Sequence, residues 1–532
     1  MAYQKLVLNR FQTGLIDENE LTKLEYPDGA SIDCQNVVWM PSGAMTKRKG
    51  FEKLNSTARG NAAITHIQQL RDRAGSDYTV AFSCASGAVS ADIALFDTST
   101  AVATFTTIAA TGWDADIDDP ISTTSFLGSG AWTSWDLGGS FYGWNPSSTV
   151  PSAAYAIANA PSGIKVLAGF GNYLFACNSV GESGTEAGIQ QHSRVRWSAT
   201  RNWSSWPSTS YIDLDANDGD EIKAAAVFQN RLIVFKEFKM YGISWVGGSE
   251  QFRAQLIDNS AGCVGPNAWI ESNSALYFQG TQAAYKYTGM SLPESIGDAV
   301  QSQFDEMDIP NSKMAEVESD EEFYQVWFHF ATTTSTNAHK DKVLAFDTRF
   351  SSWTRFDIEA STIAGIDYGT NTMYIHLPLP YSSYAGTKIR DLAGEKEGLI
   401  VIGTYDGFIE KYGNVNNDSD TAIDAFWKSR WLDFGDPTVN KRIYRMTIFV
   451  EKEAGDYNLD CDVFTDWDQD TSAASHTVTL TGGAALTVLE RPIDFTQPCR
   501  SMQVRFGTDV SNSPFTIHKV IIEYLTRGRT KA

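Results

Sequence analysis

IKAAAVFQNRLIVFKEFKMYGISW, residues 222–245, decides the fold. An apolar run, IKAAAVF, reaches the polar pair Gln229–Asn230. A second run, RLIVF, follows, and after KEFK a third ends on an aromatic residue before the chain turns polar. Runs of four to eight residues rich in Val, Ile, Phe, Tyr and Trp, broken by turn formers, are the signature of β-strands joined by tight turns. A helix would need apolar residues recurring every three or four positions over a longer window, and such periodicity is almost absent from the chain.

The same grammar recurs in IKVLAGFGNYLFACNS (164–179), ALYFQGTQAAYKYTG (275–289), FYQVWFHFA (323–331), KVLAFDTRFSSWTRFDI (342–358) and GLIVIGTYDGFIEKYGN (398–414). Segment 64–108 reads as an earlier unit of this kind. The spacing of roughly 40–55 residues is that of four-stranded propeller blades, although the repeat is too degenerate for a WD40 or kelch signature. The reading is therefore all-β: a β-propeller of about five to six blades over residues 61–415, preceded by an N-terminal extension with the first strands (1–60). Residues 109–163, rich in Ser, Gly, Ala and Trp and carrying Trp113, Trp132, Trp135 and Trp144, read as a long insertion in the propeller. VNNDSDT (415–421) reads as a polar hinge. Beyond it, RIYRMTIFVE, YNLDCDVFTD, HTVTLTG, SMQVRFG and FTIHKVIIEYL alternate cleanly and predict a C-terminal β-sandwich over 416–532.

Composition excludes several functions. The 42 basic and 64 acidic residues leave a net charge of −22, so most of the surface would repel nucleic acid rather than wrap it. No run of eighteen apolar residues predicts a membrane span, and the first residues show no secretion signal. The six cysteines are scattered without paired spacing, which suits reduced structural thiols in a protein folded in cytoplasm.

Catalytic motifs fail one by one. There is no G-x-S-x-G, HExxH, phosphate-binding loop or dinucleotide fingerprint. The seven histidines lie in no motif, and His329 and His518 sit within apolar strands as structural residues would. Zinc would need clustered Cys or His. In RVRWSATRNWSSW (194–206), where a sialidase-type box S-x-D-x-G-x-x-W would be sought, Thr200 and Asn202 stand at the required Asp and Gly. The acidic stretch DLDANDGDEI (213–222) invites a calcium-loop reading, but the positions that need Gly and Glu hold Asp218 and Ala224. The other acidic clusters, DADIDD (114–119), NNDSD (416–420) and DWDQD (466–470), equally suit turns. We therefore expect no catalytic residues, no cofactor and no metal.

Read together, several stretches resemble the tail nozzle and tail tube proteins of short-tailed bacteriophages. VVWMPSGAMTKRKGFEKL (37–54) is similar to the family's N-terminal pattern, a small-residue turn before a basic K/R-x-G-F. RVRWSATRNWSSW followed by YIDLDANDGDEIKAAAVFQNRLIVFKEFKMYGI resembles its central pattern: W-S…W, a G-D-x-I turn, N-R-L-I-V-F-K, then a strand ending in Tyr. GCVGPNAWI…SIGDAV (262–300) continues in that style, and WKSRWLDFGDP…KRIYRMTIFVE with QVRFG and FTIHKVIIEYL is similar to the terminal sandwich. The resemblance leaves out 109–163.

The resemblance implies a virion component assembled in the host cytoplasm as a homo-hexameric ring around the DNA exit channel. Its partners would be the tail adaptor and tail fibre or tail-tip proteins, and DNA would pass without sequence-specific binding. A lumen lined with carboxylates repels phosphates and lowers friction over a Debye length of about 8 Å. The channel-lining candidates are Asp213, Asp215, Asp218, Asp220 and Glu221 in one loop and Asp114, Asp116, Asp118 and Asp119 in another. Under this reading DLDANDGDEI leads from one blade into the next. The alternatives are a receptor-binding or baseplate-type tail protein and, further off, a propeller glycosidase.

Overall fold

In a computed structural model, residues 3–526 are described except 18–25, 28, 61, 85–90, 98–103, 109–116, 147–153, 183, 249, 337–338, 369–396, 414, 454, 456, 469–470 and 482–486. Among the described residues the chain forms seven four-stranded antiparallel sheets, one six-stranded sheet, one five-stranded sheet and a short hairpin. The seven are the blades of a propeller, against the five or six that the apolar runs suggest. Numbered along the chain, blade 1 is Ala63–Arg71, Asp77–Cys84, Ala91–Asp97 and Thr104–Thr107, and blade 3 is Val166–Phe170, Tyr173–Val180, Gln190–Trp197 and Tyr211–Asp213.

Blade 4 shows how sequence becomes sheet. Its strands are Ile222–Phe228, Arg231–Lys236, Met240–Trp245 and Phe252–Asp258. Gln229 and Asn230 both adopt positive φ (46° and 60°). That is the two-residue turn whose twist matches the flanking strands. From Leu232 to Lys236 every residue of the second strand is buried, because neighbouring blades cover both faces. Strands covered on both faces read as unbroken apolar runs rather than as alternation. The second strands of blades 5 and 6, Ala275–Gln279 and Gln325–Ala331, are likewise buried at every position.

The extra blade lies within the segment 109–163 that reads as an insertion. Ile121–Phe126, Ser129–Ser134, Tyr142–Trp144 and Tyr155–Ala156 pair in order as blade 2. Its strands are built from Ser, Thr and Gly, so the aliphatic signal is missing. Its core comes instead from a few large rings: Trp132 and Trp144 are fully buried and stacked at 6.2 Å, and Phe82 of blade 1 meets Trp132 edge-on at 5.3 Å. Three aromatics of this size bury as much surface as a row of smaller residues.

Blade 7 is closed across the chain. Thr362–Tyr368, Glu397–Gly403 and Ile409–Gly413 are completed by Gly50–Lys53 from the N-terminal segment, which pairs with Ile409–Gly413. Closure by a distant strand ties the ring shut and removes an exposed edge. A Cβ on Gly50 would lie 1.9 Å from the Asn417 carbonyl oxygen, so only glycine lets the strand pass there.

The sandwich is also woven from both ends of the chain. One sheet pairs Val37–Trp39, Met45–Lys47, Thr516–Thr526, Lys441–Glu451 and Val488–Cys499, with Gln4–Leu8 added on Thr516–Thr526. The other orders Ser31–Gln35, Ala425–Ser429, Met502–Thr508, Asn458–Thr465 and Ala474–Thr479. The unit expected over 416–532 thus takes in strands from the segment 1–60 that reads as an extension: Gln4–Leu8, Ser31–Gln35, Val37–Trp39 and Met45–Lys47. The sandwich seats on the outer strand of blade 6, Ser352–Asp357: Thr354 Oγ1 donates to the Val37 carbonyl at 2.8 Å, and the Asn36 amide donates to the Arg355 carbonyl at 2.8 Å. One continuous core runs through this junction, with Phe11 edge-on to Trp427 at 5.1 Å and Trp353 in the same cluster. The polar stretch 415–421 is not a free hinge. It folds as a hairpin, Asn417–Asp418 with Thr421–Ala422, held against the propeller. All six cysteines are buried with free thiols, and burial pushes the thiols of Cys34, Cys177 and Cys263 up to about 12.

Candidate functional site

The acidic loop 214–221 runs from the outer strand of blade 3 (Tyr211–Asp213) to the inner strand of blade 4 (Ile222–Phe228), as a blade-to-blade connection should. Leu214 is buried and anchors it, while Asp215 (φ 47°) and Gly219 (φ 76°) supply the left-handed turns. Each acidic side chain of the stretch is partnered. Asp213 forms a two-pronged pair with Arg194 at 2.7 and 2.9 Å. Asp215 accepts from the Tyr241 hydroxyl at 2.7 Å.

Asp218 receives the fully buried Lys236 Nζ at 2.7 and 2.8 Å and Lys239 Nζ at 2.8 Å. Burial alone would raise the Asp218 carboxyl, yet the two ammonium groups hold it down to about 2. Asp220 accepts the amides of Glu237 (2.9 Å) and Phe238 (3.3 Å), capping the turn of the adjacent hairpin. Glu221 is likewise held at about 2 against its burial, by Lys223 at 2.5 Å, Lys165 at 3.6 Å and the Asn178 amide.

This loop is therefore a structural clasp between blades 3 and 4, its carboxylates engaged by basic side chains, the Tyr241 hydroxyl and backbone amides, with Lys239 shared by Asp215 and Asp218. No group of three or more His, Cys, Asp or Glu side chains converges as a metal site among the described residues. In the second candidate cluster Asp118 is exposed and Asp119 buried, while Asp114 and Asp116 lie outside the described residues.

The described candidates, Asp213, Asp215, Asp218, Asp220, Glu221, Asp118 and Asp119, are not among the residues that line the propeller axis. The axial cavity, about 220 Å³, is lined from every blade, by Gln68, Thr123, Leu167, Ala225, Ile270, Glu318 and Gly365 in turn. Inner strands leave backbone N–H groups unpaired along their axial edge, and buried donors need partners. Side-chain oxygens of the preceding blade supply them at alternate positions. Ser122 and Thr124 of blade 2 accept the Leu167 and Gly169 amides of blade 3 at 3.0 and 2.9 Å. Glu316 and Glu318 of blade 6 accept the Ile363 and Gly365 amides of blade 7 at 2.7 and 2.8 Å.

Glu316 also receives Thr362 Oγ1 at 2.9 Å and the buried Lys340 Nζ at 3.0 Å. Among the described residues Glu318 has no cationic partner, and burial raises its carboxyl to about 7. His66 meets Thr123 Oγ1 at 3.1 Å and is held neutral, down at about 3, first by burial and then by the Lys340 charge. Asn267 of blade 5 reaches across the axis, its Nδ2 donating to the Ile121 carbonyl of blade 2 at 3.0 Å.

Sequence reasoning missed Glu316 and Glu318 because the apolar run it singled out begins at Phe323, which leaves AEVESDEE (315–322) outside any strand or acidic cluster. The available signal was their spacing. Carboxylates two residues apart beside the apolar run QVWFHFA would share one face of a strand.

No family model matches the chain, and no curated protein matches its sequence. Among solved structures it is similar to the WD40 β-propeller domain of Doa1 (8% identity, TM-score 0.38, covering 69% of this chain and 97% of that one). It is similar too to the β-propeller domain of Cps50 (Swd1) from Myceliophteria thermophila (10%, 0.36, 68% and 100%). A glycoside hydrolase family 43 arabinoxylan arabinofuranohydrolase from Bacillus subtilis matches more loosely (11%, 0.23, 88% and 96%). Such likeness concerns the β-propeller fold alone.

Proposed function

We propose that this chain is a non-enzymatic structural component of a short bacteriophage tail, a nozzle or hub subunit. It would assemble as a homo-hexameric ring, join the tail adaptor on one side and fibre or tip proteins on the other, and retain and then conduct the genome. The observation that carries the reading is the weaving of both chain ends into one sandwich clamped on a closed propeller, which makes the subunit a rigid block suited to repeated load. The stretches that resemble the phage family fall on the joints of that block: KRKGF runs into the closing strand, G-D-x-I lies on the blade 3–4 clasp, and the terminal strands lie in the sandwich.

DNA would run through the lumen between subunits. The axial cavity of a single propeller is bridged by Asn267 and is far smaller than a duplex, whose major groove alone is about 12 Å wide. With a net charge of −22 per subunit, such a lumen would hold phosphates off its walls. Negative-stain imaging of the purified chain, alone and with the adaptor of its tail, tests the proposal. Sixfold rings with a central opening are the expected result, whereas trimeric rods or monomers under both conditions would overturn it.

A further inference from the structure

We infer that a cavity on the rim of blades 1–3 is a binding site for a carboxylated sugar, such as a uronic acid residue of a surface polysaccharide. This inference stands independently of the tail assignment.

The cavity, about 350 Å³, opens on the propeller face opposite the acidic clasp. Antiparallel order puts the first and third turns of each blade on one face, and the second turn with the blade-to-blade connection on the other; the cavity is built from first and third turns. Its size falls at the small end of ligand pockets, which begin near about 300 Å³. Arg73 enters from the first turn of blade 1, Phe126 from the first hairpin of blade 2, and Tyr155 from the outer strand of blade 2. Arg201, Asn202 and Trp203 come from the long loop that precedes the outer strand of blade 3.

Three observations give the cavity its chemistry. First, it is cationic in an acidic protein. No Asp or Glu is among the described residues that line it, and neither Arg73 nor Arg201 has an ion-pair partner among the described residues. Each guanidinium is instead oriented by a single neutral acceptor: Arg73 Nε donates to the Leu127 carbonyl at 2.8 Å, and Arg201 Nε donates to Asn172 Oδ1 at 3.2 Å. Among the described residues no acceptor meets the outer Nη groups of either arginine, which keeps their donors for a ligand. In a chain with 64 acidic residues, two such arginines at one cavity select an anion.

Second, the walls are aromatic. Trp203 stacks on Phe126 at 6.0 Å, and Tyr155 meets Trp203 edge-on at 6.4 Å. Rings of this kind offer an apolar surface to the C–H face of a sugar, and the Tyr hydroxyl and Asn202 offer polar contacts to its hydroxyls.

Third, the cavity is bought with backbone strain. Leu127 (φ 52°) and Arg201 (φ 56°) both line it in the left-handed region, which neither residue type favours. Gly128 (φ 79°) lets that turn close on Arg73, since a Cβ there would lie 2.8 Å from the Arg73 amide nitrogen.

Single-stranded nucleic acid also pairs aromatic with cationic contacts. A polyanion, however, would extend over a surface with a net charge of −22, whereas one carboxylate meets only the two arginines.

Calorimetric titration of the full chain with trigalacturonate, glucose, inorganic phosphate and a short oligothymidylate tests the site. Trigalacturonate should bind, glucose should not, and R73Q and R201Q should each weaken binding by about tenfold, the worth of one charge-assisted hydrogen bond. Both arginines are exposed, so these variants should melt at the wild-type temperature. Absence of trigalacturonate binding at millimolar concentration, equal binding of glucose, or binding unchanged in both variants would overturn the inference. Displacement by phosphate or oligothymidylate at lower concentration than trigalacturonate would also overturn it. Because no readout depends on rings, failure here leaves the tail proposal untouched, and the converse holds.

Discussion

Arg48 and Asp418 form a two-pronged ion pair at 2.6 and 2.8 Å in which the arginine side chain has no solvent exposure. The remaining guanidinium donors reach Asn36 Oδ1 at 2.7 Å, the Lys49 carbonyl at 2.9 Å and the Asp357 carbonyl at 3.4 Å. One side chain thus ties the N-terminal strands, the outer strand of blade 6 and the 417–422 hairpin, beside the strand that closes blade 7. All five N–H groups are used, which is what makes a fully buried guanidinium tolerable.

Replacing Arg48 with Met should therefore cost about 3–5 kcal/mol, since the substitution leaves Asp418 and the carbonyls without donors. Arg48→Lys should recover little, because an ammonium cannot serve five acceptors in a plane. Urea unfolding of the three proteins checks this. A lysine variant as stable as wild type would show that the charge alone, without the fork, suffices.

Asp218 should behave as a structural anchor. Asp218→Asn leaves the buried Lys236 without its counter-charge and should cost about 3 kcal/mol, whereas Asp215→Asn, on a mostly exposed side chain, should cost less than about 1 kcal/mol. The sign with pH follows from a carboxyl held at about 2 in the folded chain. Its contribution is present above its ordinary pKa and is lost as pH falls from about 4 toward 2. Thermal melts at pH 7 and pH 3 should show the gap between wild type and Asp218→Asn narrowing at the lower pH.

Glu318 gives the opposite slope. Its folded carboxyl titrates at about 7, above its ordinary value, so the folded state holds a proton that the unfolded chain has released. Stability is then lost as pH rises from about 4.5 to 7. Glu318→Gln keeps an acceptor for the Gly365 amide and should match wild type near pH 4.5. At pH 8 it should exceed wild type by on the order of 2 kcal/mol. Equal urea midpoints at pH 8 would mean that the carboxylate is hydrated in the axial cavity.

The sequence by itself determined the all-β class, the propeller repeat and the C-terminal strands of the sandwich, because each rests on local information. Two-residue turns such as Gln229–Asn230 and the buried second strands leave their mark within a few residues. It also determined that DLDANDGDEI is a connection between blades. Tertiary structure alone decided the seventh blade, whose core depends on Trp132, Trp144 and a neighbour's Phe82 rather than on a local apolar run. It alone decided that Gly50–Lys53 closes the ring and that Gln4–Leu8 joins Thr516–Thr526, pairings across hundreds of residues that no periodicity encodes. The acidic residues divide the same way. Asp218 and Glu316 look alike in sequence, yet one clasps two blades at the surface and the other faces the axis, because a carboxylate's role is set by which donors the fold brings to it.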